Sequence, residues 1–208
     1  MVVHTDEGKK VLLMDQRAIS DSFGEAIGEI FVLRDITAEQ TIKEQAAKQE
    51  NTDLLTGSLN RCGLLCRLER LRKEHQLTLT VIDIDDFGKY NVSHDNDIGD
   101  IVLRLTAQKL SEIYPTDIIA RTGSDEFTVV STEALSDDEI KETAERAMNT
   151  LASAYSSKVY AKGLTVSLGI AVQRIGENEE QDTELLMQKS SQALYSAKCS
   201  GKAKYCVF

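Results

Sequence analysis

The chain has 208 residues with 34 acidic and 24 basic side chains, a formal net charge of −10, and the 41% hydrophobic content of an ordinary globular protein. This charge argues against an extended nucleic-acid surface, and no segment approaches the ~18 uninterrupted apolar residues of a membrane helix. The four cysteines include no C-x-x-C pair, which favours a reducing, cytoplasmic compartment. From the charge and the lack of a long apolar segment we expect this segment to contact neither nucleic acid nor a membrane, and a membrane tether upstream of it stays open.

Two strands are predicted near the N-terminus. Lys10–Ile19 and Gly28–Arg34 are rich in apolar and β-branched residues, and a polar stretch separates them. Two or three strands cannot bury their faces alone, so we expect the natural protein to continue upstream of this segment.

A helix is predicted over residues 38–52. This stretch lacks Gly and Pro, is rich in helix formers and follows Thr37, whose hydroxyl suits an N-cap. It fits either a signalling coiled coil that pairs two chains or a solvated spacer. Because Ile42 and Ala46 form only a thin apolar stripe, we expect intrinsic dimerisation through this helix to be weak.

The rest of the chain alternates between helical and strand patterns, which predicts an α/β fold with one central sheet covered by helices. The predicted helices are Leu59 to about His75, Ile98–Tyr114, Asp137–Ser153 and Glu184–Lys198. The predicted strands are Gln76–Asp83, a hairpin over Asp117–Ser131, Lys162–Gln173 and Lys204–Phe208.

Acidic residues cluster at two predicted strand ends. Asp125 and Glu126 follow a predicted two-residue turn at Gly123-Ser124 inside the hairpin, and Asp83 ends the preceding buried strand. If these strands are neighbours, roughly 4.8 Å apart, Asp83 and Asp125 can converge on one hard cation. Oxygen ligands of this kind suit a divalent ion and a phosphate-bearing substrate.

Four blocks in order resemble the GGDEF family of diguanylate cyclases, over about Asp53 to Phe208. They are Asp53–Arg61, Asp83–Phe87, Leu164–Ala171 and Ala193–Lys198, and the family signature itself is present as Gly123-Ser124-Asp125-Glu126-Phe127. The resemblance implies a central, mostly antiparallel sheet flanked by helices, similar to nucleotidyl cyclases and polymerase palms. It also implies a reaction that joins two GTP molecules into cyclic di-GMP and two pyrophosphates, in a homodimer where each subunit presents one GTP.

The resemblance assigns the metal and catalytic positions. Asp83, Asp125 and the backbone carbonyl of Ile84 would hold Mg²⁺ or Mn²⁺, and Asp125 and Glu126 would be the catalytic residues. Asp125 would in addition receive the proton of the 3′-hydroxyl. The alternative for these acids is a solvated strand end, and for Glu126, Asp85 and Asp86 the two readings are about equally supported.

The resemblance also assigns substrate contacts. Asn91 and Asp100 would read guanine, since a carboxylate accepts hydrogen bonds from its N1 and N2 donors. Backbone N–H groups of Gly123 and Ser124 would approach phosphate. The cations that hold the triphosphate would be Lys198 and Lys202. Helix capping by Asn91, a favourable helix-end charge at Asp100, and solvated helix ends at the lysines are the structural alternatives.

Several positions depart from the family pattern. Ser124 replaces Gly, and its Cβ would penalise a positive φ. Gly88 replaces a phosphate-binding Lys, and the adjacent Lys89 would point roughly 100° away on a helix. Lys202 replaces Arg, and Val92 replaces Asp. These departures keep open a second reading, a degenerate, inactive module that binds nucleotide or a protein partner.

Two further resemblances concern regulation. The family's product-inhibition motif R-x-x-D appears as Tyr114-Pro115-Thr116-Asp117, which keeps only Asp117, so we expect no tight feedback binding by this route. Residues 1–37 end in Asp35-Ile36-Thr37 and resemble the last strands of a PAS sensor. An unrelated hairpin is the alternative. The predicted organisation is thus a sensor fragment over 1–37, a helical linker over 38–52 and a GGDEF domain over 53–208.

Overall fold

The computed structural model describes residues 2–5, 8–20, 23, 26–39, 42, 50–93, 96–176 and 182–208. The chain forms two compact units, residues 1–50 and Asn51–Phe208. Within the described ranges, no helix is both long and apolar enough to cross a bilayer.

The first unit is a three-stranded antiparallel sheet in the order β1-β2-β3. Its strands are β1 (Val2–Thr5), β2 (Gly8–Ser20) and β3 (Ala26–Asp35). The two long strands match the sequence prediction, whereas β1 was not predicted. Described residues 37–39, 42, 50 and 51 are helical, and most of the predicted helix over 38–52, including Ala46, lies outside the described residues.

The second unit alternates strands and helices. Its strands are β4 (Leu59–Asn60), β5 (Gln76–Ile84), β6 (Ile118–Arg121), β7 (Glu126–Ser131), β8 (Val166–Arg174) and β9 (Tyr205–Val207). Its helices are α1 (Arg61–Arg70), α2 (Phe87–Ser93), α3 (Asn96–Ile113), α4 (Asp137–Ser156) and α5 (Thr183–Cys199), with a short 3₁₀ helix at Val159–Ala161. The predicted α/β fold is confirmed.

The central sheet has six strands in the order β4-β6-β7-β5-β8-β9. β5 pairs antiparallel with both β7 and β8, and β6 pairs antiparallel with β7. Only the outer pairs, β4 with β6 and β8 with β9, are parallel. The prediction of a mostly antiparallel sheet is therefore confirmed, and the strand that ends at the acidic cluster lies at its centre.

Side chains on opposite faces of β5 enter two apolar layers. Ile82 and Ile84 pack in the layer that contains α3 and α4 residues such as Leu110 and Leu151. Leu79 and Val81 pack in the other layer, with residues of α1 and α5. All nine residues of β5 are buried, including the polar Gln76, Thr78, Thr80 and Asp83, because the strand lies at the centre of the sheet and is covered on both faces. Asp83 continues the Leu79–Val81 series, so its side chain stands at the end of the α1 and α5 face.

Helix α5 approaches the sheet unusually closely at Gly169 on β8. A Cβ at this position would lie 2.1 Å from the backbone N of Leu194 and 2.2 Å from the carbonyl O of Ser190. Only glycine allows the helix backbone to lie directly on the strand in this way. The contact fixes the distance between the sheet and the helix that carries Lys198.

Helix α4 begins at a capping box. The hydroxyl of Ser136 accepts a hydrogen bond from the backbone N of Glu139, and the Glu139 carboxylate accepts one from the backbone N of Ser136. These bonds satisfy N–H groups that have no partner inside a helix.

Some sequence predictions of detail were wrong. The predicted helix from Leu59 to about His75 is shorter, because residues 59–60 form β4 and α1 ends at Arg70. The predicted strand over Lys162–Gln173 starts only at Val166, after the 3₁₀ helix. Periodicity marks these elements but does not locate their ends.

Candidate active site

The two acidic clusters meet at neighbouring strands of the central sheet. β5 and β7 are paired so that Asp83 lies directly opposite Glu126. The backbone N of Ile84 donates to the carbonyl O of Asp125, 3.2 Å away. The predicted neighbourhood of the two strands is therefore confirmed, and it places Asp83, Ile84 and Asp125 side by side.

Asp83 is a buried carboxylate with a cation beside it. The residue as a whole is 8% exposed, and its Oδ1 lies 2.7 Å from Nζ of Lys198, which projects from α5. Burial raises the pKa of Asp83, the Lys198 contact opposes that rise, and the nearby charges of Asp125 and Glu126 add to it. An additional cation near these three acids would relieve their mutual repulsion.

The signature turn is wider than the predicted two-residue turn. Regular pairing ends at Arg121 opposite Phe127, and the backbone N–H groups of Thr122 and Gly123 both donate to the carbonyl O of Glu126. Four residues, 122–125, therefore separate β6 from β7. Ser124 does not have a positive φ, so the backbone strain expected from its Cβ does not occur.

Side chains stabilise this turn from two directions. The hydroxyl of Ser124 donates to Oδ1 of Asp125 at 2.6 Å, which ties the serine to the acid. Nη2 of Arg121 donates to the carbonyl O of Ser124 at 2.6 Å, and its Nη1 contacts Oδ2 of Asp53 at 3.3 Å. Thr56 donates to Asp53 through both its backbone N and its hydroxyl. Sequence reasoning missed this brace, although Asp53 and Arg121 both lie in motif blocks.

Asp85 acts as an internal anchor. Its buried carboxylate accepts hydrogen bonds from the hydroxyls of Ser167 and Thr165, each at 2.7 Å, and from the backbone N of Ala203 at 3.1 Å. These contacts join the end of β5 to the start of β8 and to the turn that follows α5. The structure therefore assigns Asp85 a structural task, a distinction that spacing in the sequence could not make.

Asp86 contacts two lysines at once. Its Oδ2 lies 2.6 Å from Nζ of Lys202, and its Oδ1 lies 2.8 Å from Nζ of Lys89. Hydrogen bonds from Lys202 and then Lys89 lower the pKa of Asp86 to about 2. The bond to Asp86 in turn raises the pKa of Lys202, and the more distant charges of Asp85 and Asp83 add to that rise. Lys202 therefore lies within the field of the acidic site.

The positions assigned to guanine lie on α2 and α3. Oδ1 of Asn91 is buried and has no hydrogen-bond partner among the described residues. A Cβ on Gly99 would come within 2.3 Å of that oxygen, so the glycine makes room for the amide. Asp100, half-buried, follows Gly99 directly on the helix. A buried acceptor without a partner is costly unless a ligand completes it.

Glu126 lies on the α1 and α5 face of the sheet. Its Oε1 accepts a hydrogen bond from the hydroxyl of Thr122 at 2.7 Å. Together with Thr122 and Thr128 it lines a cavity of about 520 Å³ that also contacts Arg61 and Met187. Its predicted catalytic role stays a prediction, and these contacts give it a hydrogen-bonded position behind the turn.

Asp117 directly precedes β6, at the end of that strand opposite the signature turn. Burial raises its pKa, and a hydrogen bond from Ser131 opposes that rise. Tyr114, at the position where the inhibition motif has Arg, is buried in the core. Arg67, Arg70 and Arg104 line a cavity of about 730 Å³ with Asp117, a group that sequence reasoning did not connect.

The donor set near Asp83 fits a hard divalent cation. Asp83, Asp125 and the Ile84 carbonyl supply only oxygen, and an ammonium group already contacts Asp83 where a cation would bind. Within the described ranges, no group of three or more His, Cys, Asp or Glu side chains could hold a metal. A cation held here would have the carboxylates of Asp83 and Asp125 and the carbonyl of Ile84 as its protein ligands.

The fold defines a mixed α/β domain in which a central sheet is flanked by helices and carries an acidic turn at one end. The model of the family described as "Diguanylate cyclase, GGDEF domain" matches residues 50–204, and the chain therefore belongs to the GGDEF family. Membership ties the chain to cyclic di-GMP signalling, and cyclases of this family use a divalent metal ion.

Curated relatives include proteins of different activities. Diguanylate cyclase DosC of Escherichia coli (strain K12) is 31% identical over 174 residues, covering 80% of this chain and 37% of DosC. Cyclic di-GMP phosphodiesterase PdeR of the same strain is 25% identical over 213 residues, covering 99% of this chain and 31% of PdeR. The chain thus spans about a third of the length of these relatives.

Solved structures share the fold. The coiled coil and GGDEF domain of DgcB from Caulobacter crescentus, in complex with c-di-GMP, gives a TM-score of 0.73 at 23% identity, covering 83% of this chain and 93% of that one. Diguanylate cyclase SiaD of Pseudomonas aeruginosa, in complex with its activator SiaC, gives a TM-score of 0.66 at 25% identity, covering 82% of this chain and 68% of that one.

Proposed function

We propose that the chain is a diguanylate cyclase that condenses two GTP molecules into cyclic di-GMP and two pyrophosphates. The observation that carries this proposal is the convergence of Asp83 and Asp125 at one sheet end, with Lys198 in contact with Asp83. Acids for a metal and a cation for phosphate are what a phosphoryl transfer of this kind requires.

In this proposal Asp83, Asp125 and the carbonyl of Ile84 hold Mg²⁺ or Mn²⁺. When bound, such an ion would supply positive charge next to the phosphate oxygens. Asp125 receives the proton of the 3′-hydroxyl, and the hydroxyl of Ser124, which donates to its Oδ1, holds that carboxylate in place. Glu126 keeps the turn in shape through its bond with Thr122, so its contribution to catalysis is to position Asp125.

The substrate is bound at two ends. Asn91 and Asp100 read guanine, which the unpartnered buried oxygen of Asn91 supports. The backbone N–H groups of Gly123 and Ser124 and the ammonium groups of Lys198 and Lys202 bind the triphosphate.

Each subunit presents one GTP, so turnover requires a homodimer. We further propose that the segment over 1–37 is the end of a PAS-like sensor, that residues 38–52 link it to the cyclase domain, and that the assembly works in the bacterial cytoplasm. The long antiparallel strands β2 and β3 and the helical residues after Asp35 support this organisation.

A degenerate module that binds nucleotide without turnover is the second candidate. Gly88 and Val92 favour it, because both lie on α2 where the family pattern has charged residues. The similarity to PdeR, a phosphodiesterase, is compatible with a GGDEF domain that serves as a regulator in this chain.

The deciding experiment is an assay for cyclic di-GMP by chromatography, with GTP and Mg²⁺ at high protein concentration. Asp83→Ala is compared with Asp138→Ala, which removes an exposed acid from α4 and should leave the rate unchanged. We expect the loss of Asp83 to lower the rate at least ~100-fold, with the circular dichroism of the fold intact. A folded wild-type protein that binds GTP and makes no product would support the degenerate module instead.

A further inference from the structure

One acidic residue organises two lysines next to the proposed site. Asp86 follows β5 and precedes α2, and its backbone has a φ of +56°, a conformation that non-glycine residues rarely adopt. From this position one carboxylate oxygen contacts Lys89 and the other contacts Lys202. The two ammonium groups therefore lie on either side of a single carboxylate, each in contact with one of its oxygens.

The backbone that carries Lys202 is also held in an unfavourable conformation. Lys202 and Ala203 have φ values of +60° and +49°, and the backbone N of Ala203 donates to the buried carboxylate of Asp85. Because Asp85 is itself fixed by Ser167 and Thr165, the turn is rigidly attached to the sheet. Strain of this kind persists where the surrounding structure enforces it, and it is common at functional sites.

Stability does not account for this arrangement. The side chain of Lys89 is 84% exposed, and those of Lys202 and Asp86 are 39% and 44% exposed. Exposed ion pairs of this kind contribute little to the free energy of folding. Each ammonium group has three N–H donors, so both can bind a second anion while they remain in contact with Asp86.

We infer that Lys89 and Lys202 form a two-cation clamp for the β- and γ-phosphates of GTP, and that Asp86 is the residue that positions both. Lys89 then supplies the positive charge that Gly88 cannot. Although Lys89 follows Gly88 on α2 and is turned roughly 100° from it, its ammonium group reaches the same carboxylate as Lys202. The inference rests on the proposed binding of GTP but does not require turnover.

The test measures nucleotide affinity by calorimetry, with GTP and GMP as the two probes. We expect Lys89→Ala to weaken GTP binding roughly tenfold and to leave GMP binding unchanged, since GMP lacks the outer phosphates. Lys89→Arg keeps the charge and should retain most of the affinity. The matched control is Lys141→Ala, because Lys141 forms an i,i+3 pair with Asp138 as Lys89 does with Asp86.

The positioning role of Asp86 has a separate readout. Asp86→Asn should weaken GTP binding several-fold without affecting GMP, and combining it with Lys89→Ala should cost less than the sum of the two losses. Tighter GTP binding in Asp86→Asn would mean that Asp86 competes with phosphate and would overturn its positioning role.

The outcomes separate this inference from the proposed function. Equal GTP affinity in Lys89→Ala and wild type overturns the clamp, whether or not cyclic di-GMP is made. A selective loss of GTP binding in a protein without turnover supports the clamp and refutes the cyclase. A wild-type protein that binds no GTP overturns both.

Discussion

Replacing Gly169 by alanine tests how tightly α5 is seated on the sheet. The added Cβ would lie 2.1 Å from the backbone N of Leu194 and 2.6 Å from its Cα. Both are backbone atoms, so no side-chain rotation can relieve the overlap. The helix must instead retreat from β8, and Lys198, one turn beyond Leu194, moves with it.

The size of the effect follows from the distances. Ordinary contacts of a Cβ begin near 3.4 Å, so the helix backbone must move by roughly 1 Å. Overpacking of this kind costs about 1–3 kcal/mol. For a domain of this size, about 2 kcal/mol lowers the melting temperature by roughly 4–8 °C.

The assay is thermal unfolding followed by circular dichroism, combined with the cyclic di-GMP assay. Gly88→Ala is the control, because no atom lies within 4 Å of the added Cβ there. Alanine also favours a helix over glycine, so the control should melt at or slightly above the wild-type temperature. If Gly169→Ala melts within about 1 °C of the wild type, the close approach of α5 does not stabilise the domain as argued.

Three further predictions concern a cap, a carboxylate and the guanine end of the site. Ser136→Ala removes the hydrogen bond to the backbone N of Glu139 and should lower the free energy of unfolding by about 1 kcal/mol in urea titrations. Burial alone would raise the pKa of Asp53, but hydrogen bonds from Thr56 and the charge of Arg121 outweigh it and lower that pKa below its ordinary 3.8. The stability that this gives is complete above that ordinary value and is lost as the pH falls through the lowered one, so the stability difference between wild type and Asp53→Asn should shrink below about pH 4. Gly99→Ala displaces the Asn91 side chain and should weaken GTP binding roughly tenfold, measured by calorimetry, without a large fall in melting temperature.

Control measurements separate the specific effects of these three substitutions from general destabilisation. Ser157→Ala lies at the opposite end of α4 and should cost less than Ser136→Ala, so equal losses would contradict the role of the capping box. A difference for Asp53→Asn that stays constant down to pH 3 would show that its carboxylate is not stabilised in the fold. For Gly99→Ala, GTP affinity equal to that of Gly88→Ala would remove Asn91 from the substrate site.

The strongly patterned parts of the fold could be predicted from sequence. β5 was predicted because apolar and β-branched residues fill most of its length, and the β6–β7 hairpin because apolar runs flank a turn. β1, β4 and α2 were not identified as elements, since stretches of two to seven residues have too little periodicity to stand out. The two-residue turn was wrong, because the carbonyl of Glu126 accepts from two successive N–H groups and widens it.

The acids of the site could be located from sequence, but their partners could not. Asp83 and Asp125 follow from strand ends that must lie close together. The pairing of Asp86 with Lys202 joins residues 116 positions apart, and that of Asp85 with Ala203 spans 118. With several acids and lysines of similar chemistry available, only the three-dimensional path of the chain decides which of them meet.

The central position of β5 and β7 has a consequence for how the site forms during folding. Gln76 of β5 and Arg174 of β8 are joined by a hydrogen bond across 98 residues, so the centre of the sheet requires closure of a long loop. Asp83 on β5 and Asp125 directly before β7 are 42 positions apart in the sequence, so these acids come together only when β5 and β7 pair. A nascent or partly unfolded chain keeps them apart and has no partly built site to capture metal ions or nucleotides.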